Sequence, residues 1–179
     1  PKVESQKTYL LEARPLVQAA GIRRDLVLAV NLPHALPGFD TRGMAYVQQA
    51  HELNYFASSR WADTPARMLE PLLLQAIEQT GSFRAVVRAV GAVPADIRLD
   101  TELMQLQQDF EVQPSRIQLT LRAQLLNVKE KRVLAVREFA EVENADSEDP
   151  YGGVAAANRA LQRALGKVAE FCVSESGGR

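Results

Sequence analysis

One cysteine, one tryptophan and two histidines in 179 residues leave little material for several kinds of chemistry. Cys172 has no second cysteine to pair with, so no intrachain disulfide staples the fold. His34 and His51 fall in segments that read as loops, and with a single thiol they supply too few converging ligands for an ordinary metal site. No Gly-x-Ser-x-Gly elbow occurs, and Cys172 sits on the apolar face of a helical pattern, where it reads as a small buried hydrophobe. Net charge is −1, from 21 basic and 22 acidic side chains, so the long-range field that gathers nucleic-acid phosphates is missing. No stretch approaches the roughly 20 apolar residues that a membrane-crossing helix needs. These absences predict a chain with no catalytic residues, no metal and no cofactor. Pro1 stands where a methionine would begin an untrimmed chain, and the expectation is that an initiator, leader or tag preceded it.

What is present is a globular pattern, 46% apolar and 24% charged. A chain of this length buries roughly 70% of its unfolded surface, and one domain over residues 1–173 with a flexible tail at 174–179 is expected. The periodicities alternate between strands and two helices. Lys7 to Leu11 reads as a short strand. The continuous apolar run Leu26 to Val30 reads as a strand covered on both faces. Pro33 to Gly38, with two prolines and a glycine, reads as an exposed loop. Gly43 to Val47 and Glu52 to Ala57 form two strands across a polar connection. A helix from Pro65 to Thr80 carries an apolar stripe of Met68, Leu69, Leu72, Leu73, Ala76 and Ile77, with Gly81 as its stop and a bend expected at Pro71.

Phe83 to Val90 follows as a strand closed by Gly91-Ala92-Val93-Pro94. In Asp96 to Phe110 the apolar parity swaps near Met104, which predicts a bulge. Ile117, Leu119, Leu121, Ala123 and Leu125 alternate with polar residues, the clearest half-buried strand in the chain. Residues 115–142 then form a long antiparallel hairpin with its tip at Lys129-Glu130-Lys131. Asn144 to Gly153 is acidic and turn-forming, too polar to pack inside, with Gly152-Gly153 as a flexible run into a second helix over Val154 to Val173. The apolar face of that helix is Val154, Ala157, Leu161, Ala164, Leu165, Val168 and Cys172. The fold class predicted is α/β of the α+β kind, a mixed and largely antiparallel sheet with two main helices packed on it.

The most informative stretch is Leu53 to Pro65, where a strand runs into a helix start. Pro65 suits the first helical position, and Asp63 or Thr64 can cap the first turn. Trp61 either seals the core at this corner or, stacked with Arg60, anchors a partner. The cluster Lys129, Lys131, Arg132 reads as a solvated turn rather than a lipid-headgroup contact. Asp96, Asp100 and Glu102 are the one dense group of acids, and exposed polar residues on a strand face are their ordinary reading.

Taken together, Pro37-Gly38-Phe39-Asp40-Thr41, Glu52-Leu53-Asn54-Tyr55-Phe56, Arg60-Trp61-Ala62-Asp63 with Pro65, Phe83-Arg84-Ala85-Val86-Val87, Ile97-Arg98-Leu99 and Leu134-Ala135-Val136-Arg137 resemble the ABC-type transport auxiliary lipoprotein component family, of the paraquat-inducible protein C type. The resemblance implies an anticodon-binding-domain-like fold without any RNA function. It also implies a periplasmic protein held at the outer membrane by a lipidated N-terminal cysteine that is not in this sequence. Its partners would be an ABC transporter and a protein with mammalian-cell-entry (MCE) domains, in lipid trafficking, with homo-oligomers a further possibility. On this reading Tyr55, Arg60, Trp61, Asp63 and Pro65 contact the partner. Two readings stay open beside it: a small carrier of a lipid or other apolar ligand with a cavity between helix and sheet, and an enzyme with an unrecognised site.

Overall fold

A computed structural model describes residues 4–91 and 93–177. Pro1 to Val3, Ala92 of the turn after Val90, and Gly178 and Arg179 of the expected tail lie outside the described residues. In chain order the elements are β1 (Lys7–Tyr9), β2 (Arg24–Val30), β3 (His34–Ala35), β4 (Gly43–Gln49), β5 (Glu52–Trp61), α1 (Pro65–Gln79), β6 (Phe83–Arg88), β7 (Ile97–Asp109), β8 (Arg116–Asn127), β9 (Arg132–Asn144) and α2 (Pro150–Glu175).

The long strand β7 organises the sheet. On one side it pairs antiparallel with β8 along its length, and β8 pairs antiparallel with β9. Three short strands share its other side end to end, all parallel to it: β2 at Ile97 to Leu99, β3 at Glu102 and Leu103, and β4 at Gln107 to Asp109. Beyond them lie β6, parallel to β2, and then β5 and β1, with β5 antiparallel to β4 and β1 parallel to β5. The result is a mixed α+β fold: among the described residues, a nine-stranded and largely antiparallel open sheet with two helices.

The core follows the alternation in the sequence. Ile117, Leu119, Leu121, Ala123 and Leu125 of β8 are all buried, each worth up to about 1.5–3 kcal/mol for a leucine-sized side chain removed from water. The parity swap in β7 lies at Met104: Leu103 faces Leu121, but Gln105 faces Thr120, so the ladder slips by one residue. That bulge lets both Leu103 and Leu106 reach the core. The α1 stripe is buried as its spacing predicts, with Leu72 partly so, and the helix runs without interruption through an exposed Pro71.

Several boundaries differ from the sequence reading, for identifiable reasons. Pro33 to Gly38 is not wholly an exposed loop: His34 and Ala35 pair with β7 and Ala35 is buried, since β7 offers a free edge between β2 and β4. Strand β1 stops at Tyr9 and β6 at Arg88, while β5 continues to Trp61. Helix α2 starts at Pro150 rather than Val154, because Asp149 caps it, accepting a hydrogen bond from the Gly152 amide at 2.8 Å. Gly152 and Gly153 are buried, not a flexible run. A Cβ at Gly152 would stand 2.2 Å from the Ser147 carbonyl oxygen, and one at Gly153 would stand 2.2 Å from Gln108 Oε1. At its other end α2 runs to Glu175, and the Arg24 guanidinium donates to the Val173 carbonyl and the Ser176 hydroxyl. The tail expected from Ser174 is therefore helix and cap as far as Ser176.

Helix α2 is buried on more than its predicted face, with Ala156, Ala160, Ala169, Phe171 and Val173 also enclosed. Part of the extra cover comes from residues 10–20, an extended strap laid along the helix. Asn158 accepts from the Glu12 amide and donates to the Leu10 carbonyl, Gln162 donates to the Arg14 carbonyl, and Ala20 donates to Thr80 at the end of α1. The remaining polar residues of α2 grip β9. Arg159 pairs with Glu143, Arg163 with both Glu143 and the buried Glu141, and Lys167 joins Glu141. Arg159 and Arg163 also donate to the carbonyls of Asn144 and Val142 on that strand. Charged side chains laid along a sheet margin discourage strand addition there.

Candidate functional site

Segments separated in sequence meet where β5 ends. Strand β5 lies between β4 and β1: Arg60 is opposite Gly43 on one side and Thr8 on the other, and the Trp61 amide donates to the Arg42 carbonyl at 2.7 Å. The pairing of β5 with β4 slips by three residues between Tyr55 and Arg60, a bulge of the kind that re-aims side chains.

Successive side chains on a strand point to opposite faces. Trp61 therefore turns into the core, where it is 3% exposed, and Arg60 turns away from it. This alternation resolves the two readings of the corner in favour of a sealing tryptophan and rules out the stacked Arg60–Trp61 pair. Tyr55 lies on the Arg60 side. Its ring fills the space where a side chain on Gly43 would be, with Tyr55 Cδ1 2.7 Å from the Cβ position, and its hydroxyl donates to the Gly38 carbonyl at 2.7 Å. Gly38 has φ +97° and lies 3.0 Å from Leu53 at its own Cβ position, so both the backbone shape and the tight contact call for glycine. Tyr55 thus latches the turn at residues 37–41 onto β5.

The helix start is built differently from expectation. Pro65 occupies the first position of α1 and is buried. Thr64 is the N-cap, but its side chain makes no capping bond; instead its carbonyl accepts from Arg67 and Met68. Asp63 accepts from the Thr64 amide and faces Arg67 at 3.6 Å. Neither residue caps the first turn with its side chain. Of the five residues singled out from sequence, Trp61 and Pro65 are interior, Asp63 braces the turn, Tyr55 is exposed and Arg60 is only partly so.

The interior at this corner is filled. Among Met44, Phe56, Trp61, Leu106 and Gln108 the open space is about 10 Å³, and between Leu11, Leu69, Leu103 and Leu161 it is about 0 Å³. A pocket for a small apolar ligand needs roughly 300 Å³ or more. The carrier reading predicted such a cavity between helix and sheet, and neither of these two hollows supplies it: the alanine-rich α2 packs too closely on β7 and β8.

Two of the three acids weighed from sequence are engaged. Asp96 accepts from the Val27 amide at 2.8 Å and pairs with Lys129; the amide bond, then Lys129, hold its carboxyl below the usual range. Asp100 is gripped at both oxygens by Arg98 and also accepts from Asn31. At the hairpin tip Lys129 is engaged by Asp96 and Arg132 by Glu130, which weakens any headgroup contact there. Cys172 is fully buried, and burial pushes its thiol up to about 12. His34 sits in β3 and His51 at the β4–β5 turn, and the described residues contain no group of three or more His, Cys, Asp or Glu able to hold a metal ion.

The sequence model of the ABC-type transport auxiliary lipoprotein component family matches residues 9–169. The chain belongs to that family. The match runs from the end of β1 to most of α2. No curated protein matches the chain. Among solved structures it is similar to XCC0632 of Xanthomonas campestris, at 23% identity over 95% of this chain and 96% of that one, with a TM-score of 0.87. It is also similar to the hypothetical protein CT253 of Chlamydia trachomatis, at 7% identity over 87% and 100% of the two chains, TM-score 0.63. At such identities these likenesses establish a shared fold. Gly38 lies in the Pro37–Thr41 motif quoted from the sequence, but sequence reasoning missed Gly43 as part of the site, because its closeness to Tyr55 follows only from the pairing of β4 with β5.

Proposed function

We propose that the chain is a non-catalytic auxiliary subunit of an ABC/MCE-type lipid transport system of the bacterial envelope, acting by docking to its transporter partners. The family assignment makes it an ABC transport auxiliary lipoprotein; the lipid cargo, the MCE-domain partner and the absence of catalysis are this proposal's additions. On this reading residues 1–173 work as one domain in the periplasm, held at the outer membrane by a lipidated cysteine N-terminal to Pro1. The observation that carries it is the β5 corner: Tyr55 is exposed and Arg60 partly so, while Trp61, Pro65 and Asp63 hold that strand against α1. A filled interior supports recognition at a surface over cargo binding within. The test is co-purification of the lipidated, full-length protein with the MCE-domain protein encoded nearby. Association in a stable complex supports the reading; its absence in detergents that preserve the transporter overturns it.

A further inference from the structure

The sheet treats two of its margins differently. On β9 the carbonyls of Val142 and Asn144 are occupied by Arg163 and Arg159. Strand β6 has no such cover, and among the described residues its one ladder partner is β2. The Ala89 amide donates to the Val30 carbonyl, and Val30 is opposite Arg88. Main-chain groups alternate in direction along a strand, so those of Ala85 and Val87 turn to β2 while those of Val86 and Arg88 turn outward. A row of unpaired amides and carbonyls is a template for another strand unless proline, lysine or a covering element blunts it; β6 contains neither proline nor lysine. Described residues account for its surroundings. The connection leaving β6 crosses β2 to the β7 side, where the Asp96 amide donates to the Val27 carbonyl, and α2 ends beside Arg24, level with Phe83 at the start of β6.

Resting on the docking reading above, we infer that a partner protein adds an extended, uncharged segment as a strand to β6, through the outward main-chain groups of Val86 and Arg88. Strand addition draws on main-chain hydrogen bonds for affinity and on alternate side chains for specificity. The chemistry of the segment follows from what the margin leaves unmet. Its charges are already matched, Arg84 by Asp25 and Arg88 by Glu70. Its apolar side chains are not covered: Val86 and Val87 are only partly buried, Val90 just beyond the strand is 82% exposed, and Leu32 past the end of β2 is 52% exposed. A second copy of this chain fits worse, because antiparallel pairing about a two-fold axis at Val86 sets Arg84 opposite Arg88, and like charges directly opposite destabilise a ladder. A lipid surface has no main-chain groups with which to extend the sheet. Strand β6 stands on the same side of β7 as the β5 corner, two strands out in each case.

The experiment uses the full-length protein with its MCE-domain partner. Amide hydrogen exchange is followed at Val86 and Arg88, and affinity is measured for wild type, Val86→Pro, Val86→Ala, Val90→Asp and the control Arg122→Gln on the polar face of β8. Val86→Pro deletes an outward N–H, a position at which edge strands accept proline; Val86→Ala trims the side chain and keeps the amide. Melting temperatures show whether each variant folds. The inference expects both amides to be protected in the complex, binding weakened at least about tenfold by Val86→Pro and far less by Val86→Ala, weakened binding for Val90→Asp, and no change for Arg122→Gln. Where Val86→Pro does not fold, protection in the wild type and the loss with Val90→Asp decide: both together support the inference, and the absence of either overturns it. Wild-type binding with neither protection at these amides nor sensitivity to Val86→Pro overturns the inference and leaves the docking reading standing. No wild-type binding removes both. Protection of the same amides in the protein alone, rising with its concentration, assigns the margin to a second copy and likewise overturns it.

Discussion

Replacing Trp61 by alanine separates a scaffold residue from a docking anchor. The ring is 3% exposed and contributes to the core beside Met44 and Leu106. A buried tryptophan removes roughly 150–250 Å² from water, and its loss to alanine costs about 3–5 kcal/mol once the residual cavity is included. The upper half of that range is expected, because the surrounding β-sheet, tied by the Trp61 amide to Arg42 and the Ala62 amide to Tyr9, has little freedom to collapse into the space. For a chain of this size about 1 kcal/mol shifts the melting temperature by roughly 2–4 °C, so a loss of about 4 kcal/mol corresponds to roughly 8–16 °C. Urea melts followed by circular dichroism give the free energy, and partner binding well below the melting temperature is measured in parallel. The reasoning is refuted if Trp61→Ala costs less than about 1 kcal/mol while binding is abolished, since the ring would then be working at the surface.

Three further outcomes follow from the geometry. Gly43→Ala puts a methyl group into the Tyr55 ring, so it should destabilise by about 1–3 kcal/mol, and a double-mutant cycle with Tyr55→Ala should show most of that cost disappearing once the ring is gone. Burial alone would raise the carboxyls of Glu141 and Glu143, but hydrogen bonds and charge from Lys167 and Arg163 on the first, and from Arg159 and Arg163 on the second, hold both below the ordinary 4.5. Their contribution is therefore complete above the unfolded-state value and is lost as pH falls through the lowered folded-state values; urea melts at pH 7, 5 and 3 should show this decline, and Glu141→Gln should flatten it. Cys172, with its thiol pushed up to about 12 by complete burial, should resist a thiol reagent at pH 8 in the native state and react in step with global unfolding, which a timed Ellman assay in increasing urea reads directly.

Much of the fold is legible in the sequence because single faces decide it. The alternation of β8, the parity swap at Met104 and the stripe of α1 are local patterns with one solution each. What is not legible depends on pairing at a distance. Nothing in His34-Ala35 announces a strand until β7 is seen to have an unused edge, and nothing in Gly152-Gly153 announces close packing until the Ser147 carbonyl and the Gln108 side chain are seen against them. Nor does the helical spacing say what the polar residues of α2 meet: Asn158 and Gln162 bind the strap, and Arg159 and Arg163 bind β9. At the corner, Trp61 and Pro65 are visible as a structural junction, but the division between buried Trp61 and partly exposed Arg60 follows only from the direction of β5, and the latch from Tyr55 to Gly38 only from its register with β4.

Site-specific photo-crosslinking in intact cell envelopes tests the central claim most directly, with a photo-reactive residue placed at Leu53 beside Tyr55 and Gly38 or at Gln124 on the polar face of β8. The account predicts an adduct to a transporter-complex protein from Leu53 and none from Gln124. Adducts from Gln124 with none from Leu53 would contradict it, because the surface that the partner recognises would then lie away from the corner.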